Sequence, residues 1–296
     1  MDATKAGSAR AGDVDGLVLR AMGPEDAEAA LHLSEEAGWN QTAADWRFML
    51  GRGRAIGVWE PDRGWVASSL TLPLGPDLFW ISMVLVTRRQ RRRGLGTLLL
   101  ERCIDRVREA GAVPGLDATE LGRPVYRPLG FEDAFAISRW RLDRPATPVP
   151  LSAGVTIRAM RPDDLDAVIA FDARRARMQR GEILRYLLGR VPYHACLAET
   201  DGRCVGYAMG RPGRRAAQIG PVVAADPAIA LALMSRMTAL GAPVILDVPD
   251  AHDTLSGWLR DNGAVRERGF TRMTLGTCPE LADARCLYAL AGPELS

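Results

Sequence analysis

A glycine-containing turn between an apolar run and an amphipathic segment is the part of this sequence best suited to bind an anion. Residues 79–86 form an apolar run of strand length, and from Thr97 onward apolar residues recur at helical spacing. Gly94 and Gly96 lie between the two. Glycines at a strand-to-helix turn let backbone N–H groups approach a ligand, and the helix dipole adds partial positive charge there. The spacing therefore predicts a site for a pyrophosphate group.

Basic residues crowd the same turn. Arg91, Arg92 and Arg93 immediately precede Gly94, and such a run taken alone is typical of a solvated turn. The strand before it and the glycines after it favour a phosphate site instead. Nucleic acid is disfavoured as a partner, because the net charge of the chain is only +2 and no aromatic residues interleave with the arginines. The turn also lacks the Gly-Lys-Ser/Thr ending of a P-loop.

The composition indicates a globular protein with room for more than one core. The chain has 296 residues, of which 47% are hydrophobic and 25% charged, enough for two domains of ordinary size. Its five cysteines show no CxxC spacing, which favours a reduced compartment. No apolar run reaches the length of a membrane span, and the start of the chain lacks the apolar core of a signal peptide. We therefore predict a cytoplasmic protein with a disordered tail over residues 1–15 and no membrane partner.

Two short stretches repeat each other and divide the chain. Residues 20–26 and 158–164 agree at five of seven positions and lie 138 residues apart. Between them, the prolines of residues 143–153 make a stiff linker. Strand and helix patterns follow in the same order in each half, so the sequence predicts an α+β fold with two tandem domains, over 16–142 and 154–296. Each domain is expected to have a mixed, mostly antiparallel, twisted sheet flanked by helices.

The two halves differ at the turn after the equivalent strand. Where the first half has Gly94 and Gly96, the second has Asp226 and Pro227. A carboxylate repels an anion, and proline has no N–H group to donate. The sequence therefore predicts a single anion site, in the first half.

A second motif gives this arrangement a family likeness. The turn Arg91-Arg-Arg-Gly-Leu-Gly96 is followed by the element Tyr126-Arg-Pro-Leu-Gly-Phe131. In this order and at this separation, the two resemble signatures of the GCN5-related N-acetyltransferase (GNAT) family. The layout is similar to that of bacterial tandem members whose second domain has a degenerate cofactor turn. The resemblance implies a GNAT fold in each half and acetyl-CoA as co-substrate, without a metal.

The resemblance also implies roles for particular residues. The strand end would offer backbone N–H groups to the pantetheine arm and the thioester carbonyl, and the turn would bind the pyrophosphate. The implied cofactor-binding residues are Val84, Leu85, Val86, Arg91, Arg92, Arg93, Gly94, Leu95, Gly96 and Thr97. Tyr126 would lie near the sulfur as the general acid, since a phenol with a pKa of about 10 can protonate a leaving thiolate with a pKa of about 8.5.

The general base and the acceptor-binding residues are not marked by a motif. The polar residues considered as general base are Asp117, Glu120, Ser82 and His32. The residues considered for acceptor binding are Trp39, Asn40, Asp117, Thr119, Asp247 and His252. Thr119 departs from the asparagine that is usual in the family. Asp247 and His252 belong to a polar cluster after a second-half strand, which suggests an acceptor site between the domains. The spacing around His252 matches no metal site.

The function that these features favour is acetyl transfer from acetyl-CoA to an amine of a small molecule or a protein, by direct attack in a ternary complex. Two alternatives stay open. A non-catalytic acyl-CoA-binding or sensing module would need no general base, and a transferase of a longer acyl group would use the same turn. A monomer and a homodimer are equally compatible with the sequence.

Overall fold

The computed structural model describes residues 13–14, 16–190, 194–278, 281 and 284–296. The eight helices described are α1 Ala27–Glu36, α2 Ala43–Arg52, α3 Leu95–Glu109, α4 Arg123–Tyr126, α5 Leu165–Arg175, α6 Gly181–Arg190, α7 Pro227–Thr238 and α8 Asp253–Asp261. The strands described are β1 Asp13–Val14, β2 Leu17–Met22, β3 Arg54–Glu60, β4 Gly64–Pro73, β5 Leu78–Val86, β6 Val113–Thr119, β7 Glu132–Leu142, β8 Thr156–Ala159, β9 Ala195–Thr200, β10 Arg203–Arg211, β11 Ala217–Ala224, β12 Val244–Pro249, β13 Val265–Thr274 and β14 Leu287–Ala289. The tail predicted over 1–15 lies outside the described residues, except for β1.

The order of elements confirms the predicted α+β class and its tandem arrangement. Each half runs from a strand through two helices to three strands, a helix, a strand, a short helix and a final strand. Local sequence explains several of these boundaries. Thr42 begins α2 because its side chain accepts from the backbone of Asp45, while Asp45 accepts from the Thr42 N–H at 2.7 Å. The described stretch 143–153 contains neither helix nor strand.

The two halves share one continuous sheet, a feature that the sequence did not predict. Its strand order is β1-β2-β3-β4-β5-β6-β13-β7-β12-β11-β10-β9-β8. Strand β13 of the second half therefore lies between β6 and β7, and β7 in turn pairs with β12. Each half thus supplies a strand that joins the sheet of the other. Because these pairings between the halves stand in place of strand pairings within each half, neither half has a complete sheet without the other.

The parallel strands β5 and β6 diverge after a short paired segment. Within the described residues, their pairing runs from Leu78 to Trp80 on β5, and β6 continues as the partner of β13. Gly115 lets β6 lie close to the Trp80 ring at this point, since a Cβ at residue 115 would lie 2.7 Å from that ring. The result is an opening between two strands of the first half.

The equivalent opening in the second half is filled by the chain itself. Strands β11 and β12 are also parallel and pair from Ala217 to Ile219 on β11. Beyond this point β14 pairs with β11, and the N–H of Leu290 donates to the carbonyl oxygen of Asp247 on β12 at 2.9 Å. The strand β14 is completely buried. It closes the second half where the first half stays open.

Candidate active site

A bulge in β5 shapes the rim of the opening. Ser82 pairs with Leu70 and Leu85 pairs with Ser68, so two residues of β5 lie opposite one of β4. Met83, at the bulge, has φ +52°, and its carbonyl oxygen accepts a hydrogen bond from the Ser68 hydroxyl at 2.8 Å. The bulge bends β5 away from β6, which leaves the strand end exposed to a ligand.

The predicted anion turn lies at the N-terminus of α3. Gly94 precedes the helix with φ +78° and open space where a Cβ would be, and Arg92 also has positive φ, +61°. The first turn of α3 contains no acidic residue, so its unpaired N–H groups and the helix dipole face outward without a competing carboxylate. Arg91 donates from Nε to the carbonyl oxygen of Val86 at 3.2 Å. This fastens the turn to the end of β5.

Three connected depressions run from this turn into the opening between β5 and β6. The first, here called the turn groove, is lined by Val84, Val86, Gln90, Arg91, Arg92, Gly94, Leu95, Gly96, Thr97, Gly122, Val125 and Tyr126. The last, here called the inner cavity, is lined by Trp39, Gln41, Ile81, Ser82, Met83, Val84, Leu116, Asp117, Thr119, Tyr126, Arg139, Arg268, Phe270, Pro293 and Glu294. A central groove between them is lined by residues of both sets and also by Glu36, Ala37, Leu85, Arg88, Glu120, Leu121 and Gly269. Val84 and Tyr126 line all three.

Not every residue predicted in the turn presents its side chain to the groove. The side chains of Leu85 and Leu95 belong to the buried core, so these two residues have only backbone groups to offer. Arg93 is exposed but is not among the described residues that line the turn groove. Gly96 is needed for space only in part, since a Cβ there would lie 3.6 Å from the Val86 side chain.

Tyr126 ends the short helix α4 and is half-buried between the turn groove and the inner cavity. Its hydroxyl makes no hydrogen bond with any residue that the structure describes. Burial raises the pKa of Tyr126 to about 12, because the phenolate would lose hydration. Gly122 packs against the ring, and a Cβ at Gly122 would lie 2.9 Å from a ring carbon and 3.0 Å from the hydroxyl oxygen. The phenol is therefore neutral at physiological pH and held in one place.

Two carboxylates beside the inner cavity are held in buried ion pairs. Asp117 accepts two hydrogen bonds from Arg272, at 2.9 and 3.0 Å, and its pKa is nevertheless raised, because it is fully desolvated and lies near Asp247. Asp247 accepts two from Arg139, at 2.7 and 2.8 Å, and one from Gln218 at 3.0 Å. In both pairs the arginine and the carboxylate neutralise each other.

Glu294 is a cavity residue that sequence reasoning missed. It is 3% exposed and forms an ion pair with Arg211, which also pairs with Asp45 at 2.9 Å. Its pKa is raised above the ordinary value, because burial disfavours the carboxylate more than Arg211 favours it. The available signal was a single glutamate in the apolar stretch 287–295. Gln41 and Arg268 were also missed, and no local pattern marks either of them.

Three of the residues predicted for acceptor binding do not line the inner cavity. Among the described residues that line the inner cavity, Asn40, Asp247 and His252 are missing. Asn40 is buried and bonds the backbone of Arg215 and Ala216, which fastens the first half to a loop of the second. Asp247 is fully buried, where it pairs with Arg139 and raises the pKa of Asp117. His252 Nε2 lies 2.9 Å from the carbonyl oxygens of Ala284 and Leu287 and so anchors β14.

The remaining candidates divide between the cavity and its surroundings. Trp39, Thr119 and Ser82 line the inner cavity, whereas Glu120 lines the central groove. His32 lies on α1, with Nδ1 2.7 Å from a backbone carbonyl oxygen of its own helix, and lines none of the cavities described. In the described part of the chain, no three His, Cys, Asp or Glu side chains are grouped to hold a metal ion. No described helix has both the length and the apolar character needed to cross a membrane.

Comparison with known proteins places both halves in one family. A family model described as "Acetyltransferase (GNAT) family" matches residues 28–131, and one described as "Acetyltransferase (GNAT) domain" matches residues 168–289. The uncharacterized N-acetyltransferase YitH of Bacillus subtilis is 24% identical over 241 residues, covering 81% of this chain and 84% of its own length.

Solved structures show the same fold over most of the chain. A candidate acetyltransferase from Pyrococcus horikoshii superposes with a TM-score of 0.78 at 18% identity, covering 98% of this chain and 99% of its own. A tandem GNAT protein from the clavulanic acid biosynthesis pathway gives 0.62 at 17% identity, covering 88% and 99%. The architecture and the two family matches define an acyltransferase with two tandem domains. The chain belongs to the GNAT family.

Proposed function

We propose that the first half transfers the acetyl group of acetyl-CoA to an amine, by direct attack in a ternary complex. The observation that carries this proposal is the continuity of the turn groove with the inner cavity, with Val84 and Tyr126 at their junction. One end of this path would receive the pyrophosphate and the other the acceptor. When bound, acetyl-CoA would supply the acetyl group as a thioester whose C–S bond breaks as the C–N bond forms.

The backbone of the first half would hold the co-substrate. The N–H groups at the start of α3, from Leu95 to Thr97, point out of the helix end and would bind the pyrophosphate, aided by Arg91 and Arg92. The bent end of β5, with the backbone of Val84 and Val86, would bind the pantetheine arm. The residues present therefore fit the co-substrate, with no acidic side chain in the first turn of α3 to oppose the phosphates.

Two side chains would move the protons of the reaction. Glu294 would accept the proton of the attacking amine, since its raised pKa makes it a stronger base than an exposed glutamate. Tyr126 would donate its hydroxyl hydrogen toward the leaving sulfur, which its neutral state and its unpaired hydroxyl permit. Asp117 is less suited to act as the base, because Arg272 already occupies both of its oxygens.

The second half would not bind a second co-substrate. Its opening between β11 and β12 contains β14, and Asp226 caps the helix that corresponds to α3 by accepting from the N–H of Ile229 at 2.9 Å. An anion at this helix end would meet a carboxylate in place of free N–H groups. We propose instead that the second half completes the sheet and supplies one wall of the inner cavity, through Arg268, Phe270 and Glu294.

A pair of matched glycine variants tests the proposed co-substrate site. Gly94 and Gly263 both have φ +78° and open space around the missing Cβ, so alanine strains both backbones equally, by about 1–2 kcal/mol. Titration calorimetry should show a Kd for acetyl-CoA at least tenfold higher in Gly94→Ala and unchanged in Gly263→Ala. Equal Kd values in the two variants would contradict the site.

Thiol release from acetyl-CoA with a panel of amines tests the transfer step. We expect thiol release that depends on the amine and on Glu294. Tight binding of acetyl-CoA without thiol release to any amine would instead support the sensing module. Faster turnover of octanoyl-CoA than of acetyl-CoA would support a transferase of longer acyl groups.

A further inference from the structure

One arginine in the walls of the inner cavity forms no ion pair with any carboxylate that the structure describes. Three of the cationic side chains at or behind these walls are paired with carboxylates, Arg272 with Asp117, Arg139 with Asp247, and Arg211 with Glu294. Arg268 differs from them. Its guanidinium has neither an ion pair nor a hydrogen bond with any residue that the structure describes, and its Nε is buried without a partner.

The position of Arg268 is costly without a ligand. Burial and the neighbouring Arg139 lower the pKa of Arg268 to about 10, so it stays charged at neutral pH while having lost part of its hydration. Its guanidinium carbon lies 5.0 Å from the centroid of the Phe270 ring. A half-buried guanidinium that faces a cavity without an ion pair is complementary to a carboxylate, which accepts two of its hydrogen bonds side by side.

The same cavity also presents hydrogen-bond acceptors without partners. Gln41 Oε1 and Ser82 Oγ are buried and have no hydrogen-bond partner among the described residues, and both residues line the inner cavity. Glu294 lines it as well, with a carboxylate that can accept further hydrogen bonds. These oxygens suit a group with several N–H donors, such as an amine or ammonium group.

We infer that the acceptor is a small amino acid, in which Arg268 binds the carboxylate while Gln41 and Glu294 receive the amine. This inference rests on the proposed function and specifies its acceptor. The bond formed is an amide between the acetyl carbon and the amine nitrogen, the C–S bond breaks, one proton of the amine passes to Glu294, and the sulfur leaves as a thiolate that accepts a hydrogen bond from the Tyr126 hydroxyl. A carboxylate on the acyl group in place of the acceptor would satisfy Arg268 but leave the Gln41 oxygen unpaired.

Matched acceptor pairs test the inference on the full-length protein. Each pair consists of a small amino acid and the same amine without its carboxylate: L-alanine and ethylamine, L-serine and 2-aminoethanol, 4-aminobutyrate and propylamine. We expect kcat/KM for at least one amino acid to exceed that for its partner by 10-fold or more. The Arg268→Gln variant should raise the KM of this amino acid about 10- to 100-fold, leave the Kd of acetyl-CoA unchanged, and abolish the preference within the pair.

The control variant is Arg266→Gln on the same strand. Arg266 lines a different cavity and donates to the Ser138 hydroxyl at 2.8 Å, so its loss should change neither KM nor the preference within a pair. The Arg268→Lys variant, which keeps the charge, should recover part of the KM effect. The preference of the wild-type protein within each pair is a second measurement that needs no variant to fold.

The other outcomes separate this inference from the proposed function. Acetylation of the carboxylate-free amines in preference to the amino acids would overturn the inference and leave the proposed function in place. A preference for succinyl-CoA over acetyl-CoA that disappears in Arg268→Gln would also overturn it, because the carboxylate would then belong to the acyl group. Thiol release to no amine of the panel would contradict the proposed function and the inference together.

Discussion

Replacing Tyr126 by phenylalanine tests whether its hydroxyl assists the departure of the thiolate. The pKa of Tyr126, about 12, exceeds the thiol value of about 8.5 by roughly 3.5 units, so complete proton transfer to a free thiolate would be uphill by about 5 kcal/mol. The hydroxyl therefore acts as a hydrogen-bond donor to the sulfur while negative charge develops there, and it keeps its proton. A hydrogen bond to a charged group contributes about 1.5–3 kcal/mol.

We expect Tyr126→Phe to lower kcat about 10- to 100-fold, without changing the Kd of acetyl-CoA. Steady-state thiol release gives kcat, and calorimetry gives Kd. The raised pKa also fixes the sign of the pH dependence: Tyr126 acts in its protonated form, which persists as the pH rises toward about 12. The wild-type kcat should therefore show no decline with a midpoint near 10, the pKa of an exposed phenol.

A second variant displaces the hydroxyl without removing it. In Gly122→Ala the added methyl group would lie 3.0 Å or less from the ring and hydroxyl of Tyr126, so the ring has to move and kcat should fall by a similar factor. Gly257→Ala in α8 adds the same methyl group with nothing within 4 Å and serves as the control. An alkaline decline of kcat centred near 10 that is lost in Tyr126→Phe, or an unchanged kcat in that variant, would refute the reasoning.

Three further predictions follow from the cavity and the sheet. Glu294→Gln should lower kcat about 10²- to 10⁴-fold. Because Glu294 acts as the carboxylate and its pKa is raised, the wild-type kcat/KM should fall with decreasing pH at a midpoint above about 4.3. A pH profile of kcat/KM that is unchanged in the variant would count against this role. A fragment ending at residue 142 should give no cooperative thermal transition by circular dichroism, because β13 is missing between β6 and β7; a cooperative transition would contradict the exchanged sheet. Asn40→Ala should lower the free energy of unfolding in urea by about 1–3 kcal/mol, because the Asn40 side chain forms hydrogen bonds with the second half. The Kd for acetyl-CoA should stay unchanged. A changed Kd with an unchanged free energy of unfolding would instead assign Asn40 to the binding of acetyl-CoA.

The anion turn could be predicted because its signals are local. The change from a strand-like run to helical spacing, with Gly94 and Gly96 between the two, takes place within twenty consecutive residues. The φ of +78° at Gly94 is a conformation in which glycine is favoured over other residues. The difference between the halves is equally local, because the second half has Asp226 and Pro227 where the first has the two glycines. The structure adds that Asp226 caps helix α7.

The prediction of acceptor residues was less successful, because neighbours in sequence were taken for neighbours at the site. Asp247 and His252 follow one another closely in the chain, yet one pairs with Arg139 and the other anchors β14. Asn40 lies next to Trp39, which does line the inner cavity. Its side chain points to the loop of the other half, because a buried amide must find several hydrogen-bond partners.

The exchanged strands could not be predicted from the pattern of either half. Strands β7 and β13 both offer an antiparallel edge, and the hydrophobic pattern states which face of a strand is buried but not which strand lies beside it. The choice depends on ion pairs between distant residues, such as Arg139 with Asp247 across β7 and β12, and Arg272 with Asp117 across β13 and β6.

The sequence by itself determined the α+β tandem fold, the strand–turn–helix conformation around Gly94 and the difference between the two halves at this turn. These follow from residues close together in the chain, whose spacing and backbone freedom act locally. Only the tertiary structure decided what lies opposite the turn. Glu294, Arg268 and Gln41 meet in one cavity because the sheet is shared and the stretch after β14 reaches the first half, where Trp80 donates to the carbonyl oxygen of Pro293 at 2.8 Å. The charge of that cavity depends on which distant arginines and carboxylates become paired, and pairing depends on distance in space.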